Sequence, residues 1–172
     1  KMNEIIIGPE TETRSETKES KFSSDAGEVE NAYLKIPELR GFEKFCTGRR
    51  AELMPLLLRR LCGVCPVAHH FASTKTLDAA FNVEPPSTAK KLRELMYAGY
   101  IVYDHILHFY FLGGPDFVVG PEAPPEKRNI LGVIEKAGLD VAKEVIKHRA
   151  YGQKITAILG GKATHPVCGL SG

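Results

Sequence analysis

The chain has 172 residues, of which 43% are hydrophobic and 26% are charged, and its formal net charge is +2. This length and composition fit one domain with a buried core. The near balance of basic and acidic residues gives no electrostatic basis for binding nucleic acid or an anionic membrane surface, and no apolar stretch is long enough for a membrane span or a signal peptide.

The first 36 residues predict a small β element. Glu4–Ile7 is a short apolar run typical of a strand, and Glu28–Ile36 alternates apolar and polar side chains as a half-buried strand does. Asp25-Ala26-Gly27 is a turn signal. We therefore expect a β hairpin across Lys21–Ile36.

Residues 37–172 predict a helical region. Apolar residues recur at helical spacing within Glu52–Leu61, Val67–Phe81 and a long segment from Ser87 to Leu112. The long segment is apolar around much of its circumference, which predicts burial on most sides. Gly113-Gly114-Pro115 is expected to end it and to begin a Gly/Pro-rich loop.

The remaining pattern predicts three further helical stretches, at Asn129–Ala137, Leu139–Tyr151 and Gln153–Leu159. Gly160-Gly161 is expected to close the last of them by supplying a positive φ. The predicted fold class is mainly α with a small N-terminal β element (α+β). We divide it into a hairpin region, residues 1–36, and a helical metal-site region, residues 37–172, that we expect to be incomplete at its C-terminus.

Four cysteines are present, Cys46, Cys62, Cys65 and Cys168. A disulfide framework is not expected in a chain of this size without a secretory signal, so we expect reduced thiols and a cytoplasmic location. Simple packing accounts for Cys46 and Cys168.

Cys62 and Cys65 form a Cys-x-x-Cys pair, which can chelate one metal ion, act as a redox dithiol or bind an iron–sulfur cluster. A zinc site would need a second pair of ligands, from Cys46 with Cys168 or from His69 with His70. A thioredoxin-like site would need a βαβ context, which the pattern lacks. Gly63 is expected between the thiols because a side chain would hinder a tight turn.

The run Arg60-Leu61-Cys62-Gly63-Val64-Cys65-Pro66-Val67-Ala68-His69-His70 resembles the Arg-x-Cys-Gly-x-Cys-x-x-x-His signature of [NiFe]-hydrogenase large subunits. Three further segments resemble the N-terminal part of the same family: Arg40–Phe45, His108–Phe117 and His165–Val167. The nearest branch is the cytosolic, cofactor-coupled one, whose members reduce methyl viologen, associate with heterodisulfide reductase or reduce a deazaflavin. The resemblance implies a large-subunit-like fold and a place in methanogenesis.

The resemblance also implies residue roles. Cys62 would be a terminal nickel thiolate, Cys65 would bridge nickel and iron, and His69 would donate a hydrogen bond to the Cys65 sulfur. Glu43 matches a carboxylate that binds structural magnesium, and its alternative is a solvated surface residue. Glu16, in Thr13-Arg14-Ser15-Glu16-Thr17-Lys18, matches a proton-relay glutamate, although Thr-Lys replaces the family's Gly-His.

The family's centre holds nickel and an iron with CO and CN ligands between four thiolates, and this sequence carries the motif for two. The chain is therefore a fragment, or another polypeptide supplies the rest, or the site is lost. A working site would split hydrogen heterolytically, pass the proton to Glu16 and pass electrons to iron–sulfur clusters in a partner small subunit, with a flavin, heterodisulfide-reductase or ferredoxin-like module beyond it. The alternatives are a non-catalytic structural paralogue and a zinc-stabilised binding module.

Overall fold

The computed structural model describes residues 41–172 in full and, before them, the backbone of three strands. By its contacts the chain divides into two compact units, Lys1–Arg49 and Arg50–Gly172. The strands belong to the first unit and are β1 (Asn3–Ile7), β2 (Glu19–Asp25) and β3 (Glu28–Lys35).

The three strands form one antiparallel sheet in the order β1-β2-β3. Asn3 of β1 pairs with Ser24 of β2, and Glu19 of β2 pairs with Lys35 of β3. The predicted hairpin is therefore confirmed as β2 and β3, and β1 pairs with the opposite edge of β2.

Helix α1 (Phe42–Cys46) follows in the first unit. It begins after Gly41, whose φ of 100° is in the left-handed region that glycine adopts without strain. Arg49 lies over the Phe45 ring, with its guanidinium carbon 4.2 Å from the ring centroid, and its Nε donates to the Phe45 carbonyl. The glycine sets the start of α1, and this contact joins its last turn to the residues that follow.

The second unit is helical, which confirms the predicted fold class. Its helices are α2 (Met54–Leu58), α3 (Pro66–Ala80), α4 (Ser87–Leu107), α5 (Ile130–Ala137) and α6 (Leu139–Gly160). Single 3₁₀ turns flank α2 on both sides. Pro55 and Pro66 stand in the first turns of α2 and α3, where a missing N–H breaks no helical hydrogen bond.

The predicted end of the long helix at Gly113-Gly114-Pro115 is wrong. After Leu107 the chain continues in wider π-helical turns over His108–Gly113 and Pro115–Val119. Gly114 has right-handed helical angles, and Pro115 enters a new first turn, so neither residue forces the chain to leave the helical path. The path ends at Gly120, with φ 107°.

Helices α4 and α6 cross at two glycines. A Cβ on Gly152 would lie 2.6 Å from the Gly99 carbonyl oxygen, and a Cβ on Gly99 would lie 2.9 Å from the Ile155 side chain. This close approach explains why α6 runs unbroken through Gly152, where the sequence predicted two stretches. As predicted, α6 ends at Gly161, with φ 78°.

The core cluster lies beside this crossing and consists of Val67, Phe71, Met96, Tyr100 and Tyr103. The expectation that α4 is buried on most sides is wrong for the described residues, because Leu92, Leu95 and Val102 are exposed. None of the helices in residues 41–172 combines the length and hydropathy that a membrane span requires.

Candidate metal centre

The Cys-Gly-Val-Cys segment is a short loop held between two helical elements. The 3₁₀ turn Arg59–Leu61 ends at Cys62, which has extended angles (φ −135°, ψ 130°). Cys65 occupies the N-cap of α3, and the chain becomes helical at Pro66. His69 stands one turn into α3, where its N–H donates to the Cys65 carbonyl at 3.3 Å. The loop thus directs both thiols and the first histidine toward one place.

The three side chains form the one group of potential metal ligands found among the described residues. The Cys62 and Cys65 sulfurs and a His69 ring nitrogen all lie within 4.8 Å of one another, and each residue is half-buried. All four cysteines are free thiols, including Cys46 on α1 and Cys168. Two thiolates that bind one ion at about 2.3 Å in tetrahedral geometry lie roughly 3.8 Å apart. The donor set therefore fits a thiophilic metal ion.

The surroundings of Cys65 favour the protonated thiol until a cation binds. Burial raises the pKa of Cys65 to about 12, aided by the hydrogen bond and charge of Cys62 and by the carboxylate of Asp104. The Cys65 N–H in turn donates to the Cys62 sulfur at 3.1 Å. A metal ion must therefore displace the Cys65 proton, so metal affinity is expected to rise with pH.

Gly63 does not have the role that the sequence predicted. A Cβ built on it would meet nothing within 4 Å, and its φ lies outside the left-handed region. The idea that a side chain would hinder the turn is therefore wrong for the described residues, where the space beside Gly63 is open.

Sequence reasoning missed Arg59, which is buried with 4% of its surface exposed. Its guanidinium donates to the carbonyls of His165 and Pro166, the latter at 2.6 Å, and the His165 Nδ1 lies 3.1 Å from the Arg59 carbonyl. Arg59 thereby joins the turn before Cys62 to residues 165–172, which we call the strap. The adjacent Arg60 is exposed and contacts only the Leu56 carbonyl at 3.4 Å.

His70 is a fully buried structural residue and is not available as a ligand. Its Nδ1 lies 2.9 Å from the Pro55 carbonyl, and its Nε2 accepts from the Gly169 N–H at 2.8 Å. Burial lowers the pKa of His70, which agrees with the neutral ring that these two partners require. A zinc site that pairs His69 with His70 is therefore excluded.

Glu43, Glu16 and Cys168 also have roles predicted from the sequence. Glu43 lies on α1 in the first unit, where its Oε2 accepts from the Gly41 N–H at 3.3 Å, and its magnesium role stays a prediction. Glu16 lies outside the described residues. Cys168 contacts Met96, with the two sulfurs 3.6 Å apart, as a packing residue would.

Comparison with known proteins identifies the family. The family model of nickel-dependent hydrogenases matches residues 40–125, half of the chain. One polypeptide of the F420-non-reducing hydrogenase vhu of Methanocaldococcus jannaschii is 50% identical over 171 residues, which cover 99% of this chain and 41% of the relative. The beta subunit of the NAD-reducing hydrogenase HoxS of Cupriavidus necator is 34% identical over 98% of this chain, and the matched region makes up 36% of that subunit.

Solved structures give the same result. The chain matches the structure of an NAD⁺-reducing [NiFe]-hydrogenase in its H2-reduced state with a TM-score of 0.76 and 36% identity, over 99% of this chain and 38% of that one. It matches the Ni-Fe-Se hydrogenase of D. vulgaris Hildenborough with a TM-score of 0.69 and 32% identity, over 100% of this chain and 37% of that one. The chain therefore spans about two fifths of the length of these relatives, and it belongs to the nickel-dependent hydrogenase family as the N-terminal part of a large-subunit fold.

Proposed function

We propose that this chain provides half of the thiolate ligands of a Ni–Fe centre and takes part in reversible H2 cleavage as part of a hydrogenase large subunit. Cys62 and Cys65 would hold the metal pair as thiolate ligands, Cys62 on the nickel and Cys65 shared with the iron, and His69 would donate a hydrogen bond to the Cys65 sulfur. The observation that carries the proposal is the convergence of these three side chains within 4.8 Å in a chain of this family.

A bound metal pair, with CO and CN on the iron, would supply the Lewis acidity that polarises H2. Cys62 and Cys65 would hold that pair, and one of these thiolates is proposed to accept the proton. Glu16 is proposed to carry that proton away as a general base. Glu43 is proposed as a ligand of structural magnesium, a task suited to a carboxylate oxygen.

Electrons are proposed to leave through iron–sulfur clusters in a partner small subunit. This chain has four cysteines, and two of them are assigned to the Ni–Fe centre, so it cannot ligate a series of clusters by itself. The relatives are named as subunits of larger hydrogenases, which supports a multi-subunit complex. A flavin, heterodisulfide-reductase or ferredoxin-like acceptor module and a cytoplasmic location complete the proposal.

The test is Cys65→Ser in the full-length large subunit, purified with its partner, with Cys46→Ser as the matched thiol control. Nickel and iron content are measured by elemental analysis, and H2 uptake is measured with an artificial electron acceptor. Loss of a bridging thiolate should reduce activity by more than the roughly 10–100-fold typical of a lost outer-shell partner. The control should keep both its metals and its activity.

The same elemental analysis separates the alternatives. Wild-type protein that contains zinc alone would support a metal-stabilised binding module, and protein without metal would support a structural paralogue. Unchanged H2 uptake in Cys65→Ser would reject the catalytic role directly.

A further inference from the structure

The second histidine of the signature run, His70, makes two hydrogen bonds in opposite directions. The Pro55 carbonyl can only accept, so the Nδ1 atom of His70 must carry the proton and donate to it. The Gly169 N–H can only donate, so Nε2 must be the unprotonated acceptor. These bonds fix one neutral tautomer of a side chain with no exposed surface. The ring is therefore held on both sides.

His70 and its partner Pro55 lie on either side of the thiol loop in the sequence. Pro55 belongs to α2, which leads into Cys62, whereas His70 belongs to α3, which begins after Cys65. The bond between them joins positions 15 residues apart in sequence. It therefore fixes the separation of the two chain segments from which the thiols project.

The strap is hydrogen-bonded to both chain segments that flank the thiol loop. Arg59 binds the strap at Pro166, at 2.6 Å, and His70 binds the strap at Gly169. The α2 segment, α3 and the strap are thus joined pairwise by hydrogen bonds in a closed triangle. Gly169 fits this corner because a Cβ there would lie 2.7 Å from the His70 Nε2 and 2.5 Å from the Thr74 Oγ1.

We propose that His70 is a positioning residue of the thiolate pair, which sets the separation of the Cys62 and Cys65 sulfurs by joining α2, α3 and the strap. The proposal deepens the proposed function and rests on it for its metal. A ligand pair held by buried hydrogen bonds loses less freedom on metal binding than a loose pair, and supporting partners of this kind typically contribute 10–100-fold in metal affinity.

Three variants in the full-length large subunit separate the two bonds of the ring. His70→Phe keeps the ring shape and removes both bonds. His70→Asn places an amide near the position of Nδ1 and can still donate to the Pro55 carbonyl, whereas His70→Gln places an amide oxygen near Nε2 and can still accept from Gly169. His148→Phe is the matched control, because His148 is an exposed histidine on α6 that contacts its own helix at the Glu144 carbonyl.

The first readout needs no nickel. Phenylarsine oxide bridges two neighbouring thiols, so its affinity for the metal-free full-length chain reports how well the Cys62 and Cys65 sulfurs are placed. We expect about tenfold weaker arsenical binding in His70→Phe, partial recovery in His70→Asn and less in His70→Gln. His148→Phe should bind as wild type does, and Cys65→Ser should not form the adduct that bridges Cys62 and Cys65.

The second readout is the nickel content and the nickel electron paramagnetic resonance spectrum of the partnered complex. Altered g values in His70→Phe and His70→Gln, nearer to wild type in His70→Asn, would support positioning over a general loss of stability. Wild-type arsenical affinity and spectra in both amide variants would overturn the inference, even if His70→Phe fails to fold. If the wild-type complex contained no nickel but the His70 variants still bound the arsenical more weakly, the proposed function would be rejected and the positioning role of His70 would stand.

Discussion

The two ends of the helical unit are built differently. At the thiol end, polar groups of α2, α3 and the strap are satisfied by one another through Arg59 and His70. At the other end, from the π-helical turns through the first half of α6, large apolar side chains are exposed among the described residues: Phe109, Leu112, Phe117, Leu131, Leu139 and Ile146. Phe117 alone is 84% exposed.

The difference shows which properties the described residues determine by themselves. The three ligand side chains converge within this part of the chain, so the site geometry is present in a chain that spans two fifths of its relatives. At the other end, exposed apolar side chains of this kind are typical of surfaces that contact a partner or another part of a protein.

The largest change in the free energy of unfolding should come from removing the hydrogen bonds of Arg59 at the thiol end. Arg59→Met keeps the aliphatic part of the side chain and removes the donors to the His165 and Pro166 carbonyls. Because it leaves two acceptors without their donors in a buried place, we expect a loss of about 3 kcal/mol in the free energy of unfolding. Urea unfolding of the full-length chain measures it.

Arg60→Met is the matched control for that measurement. Arg60 is exposed and makes one long hydrogen bond, so its loss should change the unfolding free energy by less than about 0.5 kcal/mol. Equal effects of the two substitutions would show that the strap does not stabilise the thiol end.

The α4–α6 crossing, which lies between the two ends, should give the next largest effect. In Gly152→Ala the new methyl group would meet the Gly99 carbonyl oxygen at 2.6 Å and the Tyr103 backbone at 3.1 Å. Overpacking against backbone costs roughly 1–3 kcal/mol and exceeds the gain of about 1 kcal/mol for alanine over glycine within a helix. We expect a net loss of up to about 2 kcal/mol in the same urea experiment, whereas a gain would mean that the helices are not in close contact.

The sequence predicted the local features well and the long-range ones poorly. The Cys62–Cys65 pair and His69 follow from spacing within one loop and one helical turn, so a motif sufficed to find them. The pattern predicts two stretches that end at Tyr151 and begin at Gln153, whereas the close crossing with α4 accounts for a helix that continues through Gly152.

The network around Arg59 and His70 has no comparable local signal. Its contacts with the strap join residues 99 to 107 positions apart in sequence, a separation that periodicity and spacing cannot detect. The Pro55 and Gly169 partners of His70 are visible only in the folded chain. The resemblance of His165-Pro166-Val167 to a family segment was the one indication that the strap mattered.

A smaller, pH-dependent effect is expected from Asp78 on α3. Burial alone would raise the pKa of Asp78, but hydrogen bonds from Arg93 and the Gly172 N–H, with the charge of Arg93, outweigh it and lower this pKa. A carboxylate with a lowered folded-state pKa stabilises the fold above its unfolded pKa of about 3.9, and this contribution is lost as pH falls through the folded value.

Asp78→Asn should therefore lower the free energy of unfolding by about 1 kcal/mol at pH 7, because a charged acceptor becomes a neutral one. The difference from wild type should shrink as pH falls below about 3.9 and should vanish below the folded-state pKa of Asp78. Urea unfolding at a series of pH values measures it, and a difference independent of pH would assign the effect to packing and not to the Arg93 ion pair.

The smallest effect should come from Gly63, inside the thiol loop itself. The triangle of α2, α3 and the strap lies beneath the loop, while the space beside Gly63 is open and its φ is accessible to any residue. Gly63→Ala should therefore leave the free energy of unfolding within about 0.5 kcal/mol of wild type. A small change in the unfolding free energy for Gly63→Ala, together with a large change for Arg59→Met, would show that the contacts of Arg59 stabilise the loop more than its own backbone does. A loss as large as that of Arg59→Met would mean instead that the loop's own backbone determines where the two sulfurs lie.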